Sequence, residues 1–287
     1  MVSLAERRRA VTYLRNEYPV SERRACQAMQ VNRSSYRHVG NRERFDEACQ
    51  QVISLSQRYP YFGYRKLYDL MRGAAIRISR ERVRLIRRRE GLQVVQKRRK
   101  RRLLGTTTQW VHRARYPNHV WSYDFVFDQT ADRRTLKCLT VVDEFTRQGL
   151  DIRVGRSITA GDVIRILDEL FQMHGRPVCI RSDNGPELVS HAVQGWLQDK
   201  HVGMHYIDPG SPWQNPYNES FNSIFRITCL DRWLFSSMTE ARVVIQQWLE
   251  EYNTIRPHGS LGGMNPEQFL RCWAEGNMNQ QPKSLTA

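Results

Sequence analysis

The chain has 287 residues, of which 40% are hydrophobic and 26% charged, values that are typical of globular proteins and argue against disorder. Residues 1–115 hold 29 Lys and Arg against 9 Asp and Glu, a net charge of +20, whereas residues 116–287 have a net charge of −4. The first part of the chain is therefore expected to bind a polyanion such as nucleic acid. No apolar run approaches the roughly 18 residues of a membrane helix, no signal peptide is evident, and the six scattered cysteines argue against zinc, redox or disulfide sites.

The first segment, residues 1–40, has the outline of a helix-turn-helix unit. Val11, Leu14 and Tyr18 follow helical spacing, and Ser21 is a plausible N-cap for a second helix. A third helix would present its first residues to DNA. The candidate DNA-binding residues on it are Arg33, Ser34, Ser35 and Tyr36. The alternative interpretation is an ordinary helical hairpin with a solvated basic face.

A second basic helical segment is expected over residues 41–96, followed by a polybasic linker at residues 97–117. Ser79 can cap a helix that ends at Gly91 and whose exposed face is rich in arginine, including Arg87. The linker opens with six consecutive cations, which repel one another and are unsuited to a packed core. They are Lys97, Arg98, Arg99, Lys100, Arg101 and Arg102. Contact with DNA phosphates is favoured over a merely solvated linker.

The third segment, from residue 118, changes character from helical and basic to strand-rich. Val120–Phe127 alternates large aromatic and smaller side chains with period two, which predicts a strand with two distinct faces. Four more strands are expected at Leu136–Val142, Gly149–Val154, Val178–Ser182 and Val202–Ile207. Helices are expected at Thr159–His174, Pro186–Lys200, Pro216–Leu230 and Glu240–Tyr252. This order predicts an α/β domain in which helices cover a mixed sheet.

Three carboxylates in this segment have the chemistry of a divalent-metal site. Asp124 lies within the first strand, Asp183 follows the fourth, and Glu219 lies about one turn into the helix that begins at Pro216. Hard oxygen ligands from separate elements suit Mg²⁺ or Mn²⁺, and two such ions can promote phosphodiester displacement. Taken singly, Asp183 also suits a turn and Glu219 a solvated helix, and Asp143 competes with Asp124 for the role of the strand carboxylate.

Several motifs resemble one family. WSYDF around Asp124, SDNGPE around Asp183 and NPYNESFN around Glu219 resemble the DDE motif of the retroviral-integrase superfamily, and the 35 residues between Asp183 and Glu219 are typical of it. Arg226, seven residues after Glu219, matches a basic residue of that family. The segments SERRACQAM, YFGYRKL and YNTIRPHGSLGGMNPEQF are similar to bacterial insertion-sequence transposases, especially the product of the second of two overlapping reading frames.

The resemblance implies an α/β RNase H-like catalytic core, a mixed five-stranded sheet flanked by helices, over residues 118–274. All-α helix-turn-helix-type segments would precede it, and a flexible tail at residues 275–287 would follow. It further implies that Asp124 and Asp183 jointly hold two Mg²⁺ ions, for which Mn²⁺ can substitute, and that Glu219 completes the second site. Arg226 would contact terminal phosphates, and Asp143 would be structural.

The partners implied are double-stranded DNA with terminal inverted repeats and further copies of the chain in a homo-oligomer on two DNA ends. Whether an upstream-frame protein is also needed stays open. The chain is expected to be a cytoplasmic, nucleoid-associated bacterial protein. It departs from the family pattern at Leu188, where Phe is usual, and at Asn218, where an apolar residue is common. It also lacks the zinc-binding histidines and cysteines of retroviral integrases.

The predicted function is that of a DNA transposase, which cleaves the ends of an insertion sequence and joins the 3′-hydroxyl to another phosphodiester. Two alternatives remain at this point: a structure-selective nuclease on the same fold, and a DNA-binding regulator whose catalytic domain is inert. Trp213 and Tyr217 are expected to anchor the loop before Glu219 rather than to stack on a DNA base. For His258, a surface or capping role is at least as well supported as a contact with phosphate.

Overall fold

Three helices at the start of the chain form a small unit with its own core. The computed structural model describes residues 4–37, 42–94, 113–182, 190–206 and 216–276. The first helices are α1 (Leu4–Glu17), α2 (Glu22–Ala28) and α3 (Arg33–Arg37). The predicted N-cap of α2 is confirmed, because the Ser21 hydroxyl accepts a hydrogen bond from the backbone N–H of Arg24. The buried core of this unit consists of Val11, Ala25, Cys26 and Val31.

A second helical unit follows, and its residues are those expected for the second basic segment. Its helices are α4 (Arg42–Arg58), α5 (Tyr64–Gly73) and α6 (Arg80–Arg89). Ser79 caps α6 as predicted, by accepting a hydrogen bond from the backbone N–H of Arg82. Gly91, just after the helix, has φ +67°, a conformation in which any larger residue would be strained.

One arginine of α6 departs from the expected exposed basic face. Arg87 is buried, with only 3% of its surface exposed, and its guanidinium donates a hydrogen bond to the backbone oxygen of Phe62. The physical reason is helical periodicity, since Arg87 lies four residues after the buried Val83 and next to the buried Ile86. The prediction that Arg87 is exposed was therefore wrong.

A five-stranded mixed sheet forms the centre of the remaining chain. Its strands are β1 (Val120–Gln129), β2 (Thr135–Asp143), β3 (Gly149–Gly155), β4 (Cys179–Ser182) and β5 (Gly203–Tyr206). Their order is β3-β2-β1-β4-β5. β1, β2 and β3 pair antiparallel, whereas β4 runs parallel to both β1 and β5. Asp124 lies opposite Thr140 in the β1–β2 ladder, and Ser122 lies opposite Arg181 in the β1–β4 ladder.

Helices cover both faces of the sheet. They are α7 (Ala160–His174), α8 (His191–Asp199), α9 (Pro216–Thr228) and α10 (Met238–Thr254), and a further helix, α11 (Pro266–Ala274), packs on α10. Trp121 and Tyr123 point to the face covered by α7 and α8, whereas Val126 points to the face covered by α9 and α10. The two-faced alternation predicted for β1 is confirmed, because each face is buried against a different helical layer.

The second helical unit contacts the polypeptide that follows α10. Ile255 packs against the core of α4, α5 and α6, and the guanidinium of Arg72 donates a hydrogen bond of 3.4 Å to the backbone oxygen of Gly262. Gly263, at φ +87°, lies so close to α5 that a Cβ atom there would be 3.1 Å from the Cγ atom of Asp69. This contact joins parts of the chain that lie 190 residues apart.

All five predicted strands are present, with ends that agree to within two residues. The helix expected from Pro186 instead begins at His191, with Ser190 as its N-cap, and α11 was not predicted. The expected α/β RNase H-like architecture with preceding helical segments is confirmed. No helix in the described part of the chain is long and apolar enough to cross a membrane.

Candidate active site

Asp124 lies on the central strand, where its carboxylate is half-buried and held from two sides. One oxygen accepts a hydrogen bond of 2.7 Å from the backbone N–H of Phe125. The other accepts a hydrogen bond of 2.8 Å from the side-chain amide of Asn222 on α9. A carboxylate within an otherwise apolar strand needs such partners to offset its desolvation. The strand and the helix together therefore fix the orientation of this side chain.

A small polar group beneath α9 explains why the helix docks at this place. The Thr140 hydroxyl, opposite Asp124 on β2, lies 2.9 Å from the side-chain oxygen of Asn222 and 3.2 Å from that of Asn218. Asn218 is completely buried. At this departure from the family's apolar residue, the side-chain oxygen of Asn218 thus has a polar partner on the sheet, whereas its Nδ2 atom is buried without a hydrogen-bond partner among the described groups.

Glu219 lies in the first turn of α9 and its side chain is exposed. Because Asn222 follows Glu219 by three residues, both side chains lie on one side of the helix, one turn apart. The hydrogen bond from Asn222 to Asp124 therefore brings the carboxylate-bearing turn of α9 next to the carboxylate-bearing part of β1. The start of the helix at Pro216 agrees with the prediction, and the predicted N-cap Asn215 lies outside the described residues.

Asp183 also lies outside the described residues, which end at Ser182 before this gap. Within the described stretches, no group of three or more His, Cys, Asp and Glu side chains is arranged to hold a metal ion. Asp183 follows Arg181 by two positions, as Asp124 follows Ser122, and Ser122 and Arg181 are paired in the parallel β1–β4 ladder. The predicted triad is thus represented here by Asp124 and Glu219.

Asp143 has a structural environment. It is buried, and its carboxylate accepts backbone hydrogen bonds of 2.7 to 2.8 Å from Asn118, Phe145 and Thr146. These contacts tie the end of β2 to the turn that follows and to the segment before β1. The interpretation of Asp143 as a structural residue is supported, because its carboxylate oxygens already accept hydrogen bonds from three backbone N–H groups.

A buried ion pair beside this turn was not predicted from the sequence. The Nε atom of Arg181, on β4, lies 3.4 Å from a carboxylate oxygen of Glu144, and both side chains are at most 5% exposed. Burial raises the pKa of Glu144 to about 7, although the nearby Arg181 and Arg147 guanidiniums oppose the shift. The only signal in the sequence was the acidic residue next to Asp143, and its partner lies on another strand.

Arg226 and Tyr217 lie on α9 on either side of Glu219. The guanidinium of Arg226, two turns beyond Glu219, donates a hydrogen bond of 2.6 Å to the backbone oxygen of Phe127 at the end of β1. Tyr217 is half-buried, and the guanidinium carbon of Arg147 lies 3.8 Å from the centre of its ring. Tyr217 therefore packs against Arg147 at the start of α9, whereas the loop that it was predicted to anchor, with Trp213, lies outside the described residues.

The candidate DNA-binding residues of α3 are placed differently from one another. Ser34 is exposed, and Arg33 is exposed but forms an ion pair of 3.2 Å with Glu22 on α2. Tyr36 packs partly into the small core, and its hydroxyl lies 3.3 Å from a guanidinium nitrogen of Arg15. Part of this set thus contacts neighbouring helices. The cations Lys97, Arg98, Arg99, Lys100, Arg101 and Arg102 lie outside the described residues.

Comparisons with known proteins agree with this architecture. Two models of the integrase core domain match residues 114–212 and 200–266, and a model of an HTH-like domain matches residues 44–100. A chain of the simian T-cell lymphotropic virus intasome, solved with a PP2A regulatory subunit, has a similar fold. Its TM-score is 0.51 at 15% identity, over 81% of this chain and 78% of that one.

Two curated relatives come from insertion elements. The uncharacterized 39.2 kDa protein of insertion element IS476 from Xanthomonas euvesicatoria is 39% identical over 92% of this chain and 76% of its own length. Transposase InsF of insertion sequence IS3A from Escherichia coli is 23% identical over 85% of this chain and 92% of its own length. The sequence motifs, the mixed sheet and these matches lead to one conclusion: the chain belongs to the DDE transposases of IS3-type insertion elements.

Proposed function

We propose that this transposase cleaves the ends of its own insertion sequence and joins the freed 3′-hydroxyl to another DNA phosphodiester. The observation that carries the proposal is the hydrogen bond from Asn222 to Asp124, because it brings Glu219 and Asp124 to adjoining positions on α9 and β1. Asp183, the next residue after β4 in the sequence, would complete the set. The membership of the chain in a transposase family supports the same chemistry.

The donor chemistry of these residues fits a divalent metal. Carboxylate oxygens are the hard ligands that Mg²⁺ prefers, and Asp124 is fixed in place by two hydrogen bonds before any ion binds. Asp124 and Asp183 would hold two ions jointly, and Glu219 would complete the second position. Bound Mg²⁺, or Mn²⁺ in its place, would supply the positive charge that favours attack and departure of the two oxygens in phosphodiester displacement.

Other residues of the chain position the reacting groups. The amide of Asn222 holds the Asp124 carboxylate toward α9, and Arg147 holds Tyr217 and with it the first turn that carries Glu219. Arg226, on the same helix, would contact terminal DNA phosphates through the part of its guanidinium that does not bind Phe127. Such fixed placement matters because phosphoryl transfer depends mainly on orientation and charge.

The remaining partners follow from the charge and the family. The helical segments of residues 1–40 and 41–96 and the linker cations Lys97–Arg102 would bind double-stranded DNA with terminal inverted repeats, since residues 1–115 carry a net charge of +20. Two DNA ends would be held by a homo-oligomer.

The substitution Glu219→Gln tests the proposal. Gln has nearly the same shape and a similar helix propensity, so the fold and the DNA binding should persist, while cleavage and joining should both fall by orders of magnitude in Mg²⁺. The assay is a strand-transfer reaction with a duplex that carries the end of the insertion sequence. Glu267→Gln is the matched control, because Glu267 is also an exposed glutamate in the first turn of a helix that begins with proline.

Each outcome of this assay has one meaning. Near wild-type joining by Glu219→Gln contradicts the assignment of Glu219 to the metal site. Cleavage without joining by the wild-type chain identifies a nuclease instead. DNA binding without cleavage or joining by the wild-type chain, in either metal, identifies a regulator with an inert catalytic domain.

A further inference from the structure

Three cationic side chains and a histidine meet where the second helical unit contacts the catalytic core. Arg256 and Lys66 flank the same aromatic ring: the guanidinium carbon and the Nζ atom lie 5.3 and 5.7 Å from the centre of Phe62. His258 and Arg147 are close enough that Arg256, Lys66 and Arg147 all lower the pKa of His258, after the larger effect of its burial. Lys66 lies on α5, Arg147 between β2 and β3, and the other two after α10.

Arg147 faces Glu144, whereas no carboxylate within the described residues acts on the pKa of Lys66, Arg256 or His258. Arg256 is only 7% exposed, and its Nε atom and the Nε2 atom of His258 are buried without a hydrogen-bond partner among the described groups. Two further acidic side chains nearby interact with other groups. Asp69 faces Arg72 and Arg80, and the charge of Glu251 contributes to the raised pKa values of Tyr59 and Tyr61. Buried cations are normally paired, because desolvation of an unpaired charge is costly.

The electrostatics of Lys66 agree with this geometry. Burial, together with the charge of Arg256, lowers the pKa of Lys66 to about 7. Holding like charges together in a buried position lowers the stability of the folded protein, and a bound anion would offset this repulsion. The donors present, a guanidinium fork, an ammonium and an imidazole, are those that bind phosphate oxygens.

The cluster adjoins the candidate active site. The ring of Tyr252 contacts His258 on one side and Phe221 on the other, with ring centres 4.9 and 4.8 Å apart, and Phe221 follows Glu219 by two residues. Arg147 packs on Tyr217, which precedes Glu219 by two residues. An anion at the cluster would therefore lie beside α9, at the junction between the DNA-binding helices and the core.

We propose that Lys66, Arg256 and His258 form a binding site for a backbone phosphate of the DNA strand that the active site holds. This assignment rests on the proposed function, since it takes DNA ends as the substrate. Within that function the junction has a specific role, because the phosphate would supply a counter-charge that the described residues do not provide there. The DNA strand would thus be bound by the helical unit and by the core at once.

The substitution Lys66→Met tests the site in the full-length chain. Methionine keeps most of the apolar volume and removes only the charge. With a duplex that carries the insertion-sequence end, in EDTA, we expect binding about tenfold weaker, the loss typical of one charge-assisted hydrogen bond. The slope of log K against log salt should fall by about 0.9, the value for one phosphate contact. The Tm of the DNA-free protein should not fall, because a repulsive charge has been removed.

Lys200→Met is the matched control. Its Nζ atom also lies over an aromatic ring, 5.5 Å from the centre of Trp196, but it has a carboxylate partner in Asp168. This variant should keep the wild-type affinity and salt slope. Lys66→Arg, which keeps the charge, should retain the wild-type slope and so separate loss of charge from loss of folding.

Several results would overturn the proposal. An unchanged salt slope in Lys66→Met, with or without a lower Tm, would assign Lys66 a purely structural role. If inorganic phosphate raised the Tm of the wild type while Lys66→Met bound DNA normally, the cluster would be a free-anion site. Because binding is measured without divalent ions, failure of the proposed cleavage and joining chemistry would leave this measurement unaffected.

Discussion

Gly149, the first residue of β3, lies where the sheet comes closest to α9 and α10, and Gly149→Ala is expected to strain this contact. A Cβ atom there would be 2.5 Å from the Cδ1 atom of Leu249 and 2.8 Å from the Cε2 atom of Phe221, whereas ordinary contact begins near 3.4 Å. Both neighbours are buried, so Leu249 must shift by about 0.9 Å and Phe221 by about 0.6 Å within a packed core. The backbone is held as well, by two hydrogen bonds of 2.8 and 2.9 Å with the Asn253 side chain.

The expected magnitude follows from two opposing effects. Overpacking of this kind costs about 1–3 kcal/mol, whereas Gly→Ala recovers about 0.4–1 kcal/mol by restricting the unfolded chain. We therefore expect Gly149→Ala to lower the free energy of unfolding by about 1–2 kcal/mol in urea denaturation. Strand joining should fall further than the folded fraction does, because displacement of Phe221 moves the helix that carries Glu219.

A second substitution distinguishes steric strain from other causes. Leu249→Val removes the atom in closest contact and alone costs about 1 kcal/mol. In combination with Gly149→Ala it should be less destabilising than the sum of the two single changes, by about 1 kcal/mol. Additive effects, or a Gly149→Ala variant within about 0.5 kcal/mol of the wild type, would refute the steric reasoning.

Three further changes follow from the described contacts. Asp143→Asn should lower the free energy of unfolding by about 1–3 kcal/mol in urea denaturation, because at least one backbone N–H loses its acceptor; catalysis per folded molecule should change little. The folded chain binds fewer protons than the unfolded chain between the lowered Lys66 pKa of about 7 and the ordinary 10.5, so the stability of the DNA-free protein should rise with pH across that window. The full pKa shift corresponds to about 5 kcal/mol of stability, which solvent screening at this half-buried group reduces to about 2–3 kcal/mol. Urea denaturation from about pH 6.5 to 9.5 measures this rise in stability, and Lys66→Met should not show it. Neutral residues in place of Lys97–Arg102 should weaken binding of insertion-sequence ends and of random DNA by equal factors, and a selective loss for the ends would contradict this assignment.

Local patterns were sufficient to predict the elements that carry the candidate site. The alternation in Val120–Phe127 predicted both the strand and its two faces, because each face is buried against helices. Pro216 predicted the start of the helix that carries Glu219. The same kind of signal was available for Arg87, which lies at helical spacing from Val83, but the density of charge around it suggested an exposed face.

Contacts between distant parts of the chain could not be predicted in this way. Nothing local relates Asn222 to Asp124 or Arg181 to Glu144, because each pair joins separate elements through the fold. The YFGYRKL and RPH motifs lie in the second helical segment and in the catalytic core, and nothing in the sequence connects them. The structure shows that Phe62 of the first motif packs beside Arg256 of the second.

The contact between α5 and the segment after α10 also has a consequence for how the protein is made. Synthesis proceeds from the N-terminus, so α5 leaves the ribosome long before its partner Gly262, which follows Arg72 by 190 residues. Until then, Phe62 lacks its cover from Arg256. A nascent chain, or one cut short within α10, therefore carries an incomplete surface at this junction. Only copies whose synthesis has passed Gly262 present the whole of it.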